Sequence, residues 1–500
     1  MFEIKDLSIS INGRYLVKNL SLTLNNGDKL AIIGEEGNGK STLLKSILDM
    51  CEYAEVKGRI NSKGNRIGYL EQSMSNKNLN KRVYDFLFMD DNDYYEKVNN
   101  LYKYLDSINL SDEILDQTIN TLSGGEKVKI SILKLLINEY DILFLDEPTN
   151  DLDIETLEWL ESFINNTNKP IMYVSHDETL LSNTANMILH LEQVMKKTNC
   201  RHTLLKIDYD TYVEQRLRNI DKQTQVAKSE KREFNKQQEK LRKIMQKVEY
   251  QQNIISRKDP HGAKVLKKKM HSLKSQEKRL DNTELTKVPD VEESISFFFE
   301  NVEIPKTKNI LNLNIPELKV NNKILSRNIE LNIIGNTHLC IIGKNGVGKS
   351  TLTKIINEKL KGRNDIKVGY MPQNYDDILN NYDNVLDFIS PSGNKDNITK
   401  ARMYLGNMKF TREEMVCKIK DLSNGTKAKL FLVKLVLDEC NVLILDEPTR
   451  NVSPLSNPVI RKTLSEYKGT IISVSHDRKY INEVIDNLYT LTLNGLVKEG

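Results

Sequence analysis

The sequence predicts an α/β chain of two tandem units, each built on a mostly parallel sheet, joined by an antiparallel α-helical hairpin. Three observations carry that prediction. The chain is duplicated: Gly34 to Thr42 returns as Gly343 to Thr351, Ile142 to Thr149 as Val442 to Thr449, and Val174 to Asp177 as Val474 to Asp477. Short, continuous apolar runs stand before these motifs and helix-like segments lie between them, the pattern of buried parallel strands under helices. One stretch, Glu214 to Glu284, has no copy and shows heptad spacing instead. The expected units are residues 1–210, 211–290 and 291–500.

The totals agree. A chain of 500 residues is too long for one core and suggests two or three domains. Hydrophobic residues make up 39% and charged residues 28%, which fits a soluble globular protein. No apolar run approaches the roughly 18 residues of a membrane-spanning helix. The opening Phe2-Glu3-Ile4-Lys5 alternates like a strand and not like a leader. The five cysteines are scattered without paired spacing, against a disulfide framework or zinc site and for a reducing, cytoplasmic setting.

In each half an apolar run (Leu30 to Ile33; Leu339 to Ile342) leads into a glycine loop and then a helix-like segment (Ser41 to Leu48; Ser350 to Ile356). Gly34, Gly37 and Gly39, with Asn38 between them, let successive backbone N–H groups close around phosphate oxygens, and Gly343, Gly346 and Gly348 repeat this beside Asn345. Lys40 and Lys349 then neutralise the β/γ charge, and the hydroxyls of Ser41 and Ser350, next to Thr42 and Thr351, reach Mg²⁺. A single such pattern can be an ordinary glycine turn; two copies in the same strand–loop–helix context argue against that.

Asp146 and Asp446 end apolar strands, where a carboxylate can hold the Mg²⁺ shell. Glu147 and Glu447 follow, placed to orient or deprotonate an attacking water, each 29 residues before a histidine, His176 or His476. Ser123-Gly124-Gly125-Glu126 opens a helix (Lys127 to Asn138) and forms a second anion-receptive N-terminus. Each half already has its own phosphate loop, so this one is expected to face a nucleotide held by the other half. Its counterpart, Ser423-Asn424-Gly425-Thr426, has lost one glycine and the carboxylate.

In the unpaired stretch, Ile220, Ala227, Phe234, Leu241 and Val248 recur every seven residues, with Leu217 and Met245 half a heptad away. After a break at Asp259-Pro260-His261-Gly262, Leu266, Leu273 and Leu280 resume the spacing, with Met270 between them. A narrow apolar seam, interrupted and resumed, predicts a helix folded back on its continuation. Arg216 to Glu284 holds 20 Lys and Arg against 9 Asp and Glu, a net of +11 in a chain of net +4. Such an arm suits the phosphates of folded RNA; a solvated coiled-coil spacer is the plainer reading.

Taken together, the phosphate loops, the Asp-Glu-Pro-Thr segments and Leu122-Ser123-Gly124-Gly125-Glu126 resemble the ATP-binding cassette superfamily over both halves. Two cassettes joined by a basic hairpin resemble its ABC-F branch. The resemblance implies an ATPase using ATP and Mg²⁺, a monomer whose own two cassettes sandwich two nucleotides. It implies that Tyr15 stacks on adenine and that Gln72 and Gln373 serve the metal and the water. Ser123 and Ser423 would reach the opposite γ-phosphate, and His176 and His476 that of their own side. It further implies a ribosome partner (23S rRNA and P-site tRNA at the tRNA exit site), with the hairpin reaching toward the peptidyl-transferase centre. Tyr250, Ile254, Ile255, Arg257, Lys258 and His261, with Lys264, Lys267 and Lys268, are the candidate contacts on a tip near residues 250–263.

The two sites are expected to be unequal. The site using Lys40 faces the degenerate Ser423 loop, and the site using Lys349 faces the intact Ser123 loop. Alignment places Ile324 where Tyr15 stands. Arg450-Asn451-Val452-Ser453 replaces Asn150-Asp151-Leu152-Asp153. Most hydrolysis is therefore expected at Lys349, Glu447 and Ser123. The residues themselves suggest no role for Glu36, which stands where the second half has Asn345. An elaborated tip and the segment Arg450 to Ser456 resemble the branch that protects ribosomes from lincosamide, pleuromutilin and streptogramin A antibiotics. A housekeeping translation factor of the same family and the ATPase subunit of a transporter are the alternatives.

Overall fold

The computed structural model describes the chain except residues 73, 89–97, 99, 103, 106–107, 109, 151, 195–198, 255–259, 282–294, 300–301, 321–322, 391–394 and 500. It divides into two compact units: Met1–Tyr209 together with Glu292–Gly500, and Asp210–Val291.

The first unit contains two six-stranded sheets of one plan. In the N-terminal half the order is Ile67–Leu70, Ile142–Asp146, Ile171–Val174, Lys29–Ile33, Met187–Val194, Asn199–Leu205. In the C-terminal half it is Val368–Met371, Val442–Asp446, Thr470–Val474, His338–Ile342, Asn487–Thr492, Gly495–Lys498. Five strands of each sheet are parallel and the last is antiparallel. Every residue of Ile142–Asp146 and Val442–Asp446 is buried, which is why these runs are apolar throughout and not alternating. Parallel register pairs both Ile32 and Asp146 with Val174. The segments leaving these strands therefore start from one edge of the sheet, where ligands of open α/β sheets bind.

Each half adds an antiparallel layer: Phe2–Ile11 between Arg14–Leu24 and Glu55–Asn61, and the hairpin Asn309–Val320 with Lys323–Ile334. Alternating residues of these strands, such as Phe2, Ile4 and Leu20, join Leu30, Ile32, Leu43 and Phe144 in one core. A separate core of Val83, Phe86, Leu105, Ile119, Leu122, Ile130 and Leu133 supports the helix Gly124–Ile137.

The second unit is built on a 46-residue helix, Tyr209–Ile254, which begins at the last residue of the first unit's N-terminal segment and is about 69 Å long, and on the 22-residue Pro260–Asp281, about 33 Å long. Seam residues Ala227, Val248 and Leu273 are buried, whereas Leu217 is 58% exposed. Of the expected break, Asp259 lies outside the described residues and Pro260, His261 and Gly262 open the second helix, with Pro260 first, where a missing N–H costs nothing.

Two candidate nucleotide sites

Both phosphate loops turn from a sheet strand into a helix, Lys40–Ile47 or Lys349–Leu360. Gly34 and Gly343 have φ of 147° and 148° and pass so close to the carbonyls of Leu191 and Leu491 that a Cβ would lie 2.3 and 2.6 Å from those oxygens, so only glycine fits. Asn38 donates its side chain to Leu191 O at 2.9 Å and is 1% exposed; it anchors the loop to the sheet. Both lysines fold over their loops, Lys40 Nζ donating to Gly34 O at 2.8 Å and Lys349 Nζ to Gly343 O at 2.7 Å.

The strand-end carboxylates stand beside these loops. Ser41 Oγ donates to Asp146 at 2.8 Å and Tyr69 Oη to its other oxygen at 3.1 Å. In the second half Ser350 Oγ donates to Gln373 at 3.3 Å, and both buried carboxylate oxygens of Asp446 have no hydrogen-bond partner. A hydroxyl, an amide oxygen and an orphaned buried carboxylate form an oxygen donor set that fits Mg²⁺. Burial pushes the Asp446 carboxyl above its ordinary value.

Glu147 and Glu447 have φ of 50° and 55°, a conformation that non-glycine residues seldom adopt and that recurs at functional sites. Their N–H groups hold it by donating to Val174 O and Val474 O at 3.0 and 2.9 Å. The side chains then differ. Glu147 accepts from Gln72 and Asn150, each at 2.7 Å, and lies 3.4 Å from His176 Nε2. Burial opposes its charge, but His176 and Asn150 prevail and hold it at about 2. Glu447 faces Arg450 where Glu147 has Asn150, and its His476 lies 3.8 Å away. Burial and then the neighbouring Asp446 push it up to about 8. Burial, with Lys349, pushes His476 down to about 4.

A cavity of about 950 Å³ lies at the second site, within the range of small-molecule sites. Lys349, Ser350, Gln373, Asp446, Glu447 and His476 line it from one half, and Gly124, Lys127, Asn150 and His176 from the other. Asn345 N–H bonds Asp153 across this junction. Ser123 here caps its helix with a full capping box: Ser123 Oγ and N–H both donate to Glu126, at 2.7 and 2.8 Å, and Glu126 N–H returns a bond at 3.3 Å. Val320, Lys323 and Leu325, which neighbour Ile324, the residue aligned with Tyr15, also line the cavity. Tyr15 itself is 41% exposed, with Lys18 Nζ 5.6 Å from its ring centre.

At the first site the second signature loop meets two acidic side chains. Ser423 Oγ donates to Glu36 at 2.8 Å and Gly425 N–H at 2.6 Å. Lys429 Nζ and Ser456 Oγ donate to Glu35 at 2.7 and 2.6 Å. His176 Nδ1 lies 2.9 Å from Val452 O. None of Glu35, Lys429 or Ser456 stands out in sequence; the only signal is the dipeptide Glu35-Glu36 where the copy has Lys344-Asn345. A second contact between the halves is also silent in sequence: Arg461 makes a two-pronged bond to Glu178, at 2.5 and 3.2 Å.

Of the hairpin candidates, Tyr250, Ile254, His261, Lys264, Lys267 and Lys268 are exposed on the two helices, and Ile255, Arg257 and Lys258 lie outside the described residues. No helix among the described residues is long and apolar enough to cross a membrane.

The family profile described as "ABC transporter" matches residues 17–150 and 326–450. The chain is 30% identical to the ATP-binding protein Uup of Buchnera aphidicola, over 99% of this chain and 81% of that one. It is 24% identical to ABC transporter F family member 5 of Arabidopsis thaliana, over 97% and 74%. Among solved structures it shares its fold with the archaeal ribosome recycling factor aABCE1, crystallised with the ribosomal stalk protein aP1: TM-score 0.59, 18% identity, 96% and 87% covered.

Proposed function

Because the chain belongs to the ABC transporter ATPase family and, within it, to the ABC-F proteins, we propose that it is an ATP-gated ribosome-binding protein. It hydrolyses ATP, as its two cassettes require. The observation that carries the ribosome reading is the hairpin, whose net charge of +11 lies on an arm of two exposed helices in a chain of net +4. Long Lys and Arg side chains on a rigid rod suit folded RNA, read by shape and phosphate charge. The protein of the same fold, aABCE1, is a ribosome recycling factor, which supports the same setting.

In this reading the glycine loop and Lys349 hold the phosphates, with Ser123 and Gly124 closing from the other half. Ser350, Gln373 and Asp446 would hold Mg²⁺, which would supply neutralisation of phosphate charge when bound. Glu447 orients and deprotonates the attacking water, and His476 steadies Glu447 through its backbone N–H at 3.4 Å. ATP closes the cassettes, the closed form seats the hairpin beside P-site tRNA and 23S rRNA, and hydrolysis releases it. The segment Arg450 to Ser456 favours a role in displacing lincosamide, pleuromutilin or streptogramin A antibiotics near the peptidyl-transferase centre. A housekeeping translation factor that relieves stalled ribosomes is the alternative.

The test is a Glu147→Gln/Glu447→Gln chain sedimented with ribosomes, with and without ATP. ATP-dependent co-sedimentation is the expected result. No association in either state overturns the ribosome reading, and drug-susceptibility testing of a deletion strain then separates protection from housekeeping.

A further inference from the structure

The glutamate without a role in the sequence has one in the fold. Glu36 Oε2 accepts from Ser423 Oγ and Gly425 N–H, the two donors that the N-terminus of a signature helix offers an anion. Its surroundings are those of a terminal phosphate. Burial pushes its carboxyl up, and His176, Lys40, Ser423 and Lys429 draw it back toward the charged form. We propose that Glu36 is the specificity-determining residue of the first nucleotide site: its carboxylate takes the place of the γ-phosphate against the second signature loop, so that the closed site accepts a nucleoside diphosphate and rejects a triphosphate.

Two exchanges between the halves account for this arrangement. In the intact signature loop, the Ser123 hydroxyl donates a hydrogen bond to Glu126, in the first turn of its own helix, and Gly124 lines the cavity. In the second loop that carboxylate is absent, because Thr426 stands there, and the Ser423 hydroxyl donates to Glu36 from the opposite half. Conversely, the phosphate loop that faces the intact signature has Asn345 where the other has Glu36. Each signature serine thus has one carboxylate; in one site it comes from behind, in the other from the position a triphosphate needs.

The seat is built on both residues of the acidic pair. Glu35, bound to Lys429 and Ser456, fixes the adjacent backbone, so Glu36 is not a freely turning side chain. Gly425 packs against the Glu36 carboxylate and Asn451 O closely enough to leave no room for even a Cβ. A γ-phosphate brought there meets a volume already filled by the Glu36 side chain. A diphosphate is one phosphate shorter and leaves the carboxylate in place, while Lys40, Ser41 and the glycine backbone remain to hold it.

The proposal rests on nucleotide binding and not on the ribosome reading. It is tested in the full chain carrying Lys349→Ala, which silences the second site, by calorimetric titration with Mg²⁺ and either ADP or a non-hydrolysable ATP analogue. ADP is expected to bind at least tenfold more tightly. Adding Glu36→Asn, the residue found at the matching place in the other loop, is expected to raise the analogue's affinity at least tenfold and abolish that preference. Equal affinities in the Lys349→Ala chain, binding of neither ligand, or a preference unchanged by Glu36→Asn overturns it. If the melting curve shows that Glu36→Asn does not fold, the preference in the Lys349→Ala chain decides alone. ATP turnover by the unaltered chain tests the ATPase assignment separately.

Discussion

Glu147 and Glu447 occupy the same place in two copies of one motif, yet their surroundings give them different chemistry. Three side chains hold the Glu147 carboxylate, whereas Glu447 accepts from the His476 N–H at 3.4 Å and is buried beside Asp446. A carboxylate already committed to Gln72, Asn150 and His176 is a poor partner for water. Glu447→Gln should therefore lower turnover by about 10²-fold or more, the usual worth of a general base, and Glu147→Gln much less. Single-variant ATPase rates check this, and a larger loss from Glu147→Gln would sink it. A second residue-scale prediction concerns Glu35. Burial alone would raise its carboxyl; Lys429 and Ser456 bring it instead to about 2, below its ordinary 4.5. A lowered carboxylate stabilises the fold above the unfolded value and loses that stability as pH falls from about 4.5 toward 2. Glu35→Gln should thus cost about 1–3 kcal/mol at pH 7, and the gap from the parent in thermal unfolding should narrow below pH 5.

At the scale of elements, the signature helices show how a cap and a binding site share residues. The helix Gly124–Ile137 carries a complete capping box, whereas Asn424–Leu437 has Thr426 at the third position and lacks the return bond. Glu126→Ala should cost about 1 kcal/mol, read as a lower melting temperature, while Thr426→Ala should cost less. The hairpin is the other element with a separable role. Lys264, Lys267 and Lys268 are exposed on the first turns of Pro260–Asp281. If they contact RNA phosphates, replacing all three by Gln should weaken ribosome binding and reduce its log–log salt slope by roughly 2–3, at about 0.7–0.9 per contact. An unchanged slope places the contact elsewhere on the arm. The seam on these helices was legible because heptad spacing survives any neighbour, but Leu217 fits the spacing and is exposed. Periodicity says which face a residue occupies, not whether something covers it.

For the whole molecule, the contacts that join the two halves are the part sequence reading missed. Arg461 and Glu178 are 3% and 6% exposed, and Glu483 lies on the same guanidinium at 2.8 Å. Burial pushes Glu178 up, so the pair stands only while both members are present. Arg461→Ala should leave the buried Glu178 carboxylate with only Lys479, 3.5 Å away, and destabilise the first unit by up to about 3–5 kcal/mol, whereas Arg461→Met with Glu178→Leu should recover most of that loss in thermal melts. Arg461 lies 283 residues from Glu178, and Lys429 lies 394 from Glu35. No spacing rule relates such positions.

The sequence by itself determined the duplication, the two phosphate loops, the Asp-Glu pairs, the signature loops and the basic hairpin. Each of these is a local property: glycines for a tight turn, apolar runs for buried strands, a seven-residue period for a helix seam. The same reading assigned Lys349, Glu447 and Ser123 to one site, and the fold lines a cavity with Lys349, Glu447 and Gly124, the neighbour of Ser123; it also noted that Glu36 was out of pattern. Only the tertiary structure decided what Glu36 does, because its partners, Ser423 and Gly425, come from the other copy of the motif. It also decided that Glu147 and Glu447 differ, since charge state depends on burial and on neighbours brought from distant strands. Asymmetry between near-identical motifs is a property of their surroundings, and surroundings exist only once the chain has folded.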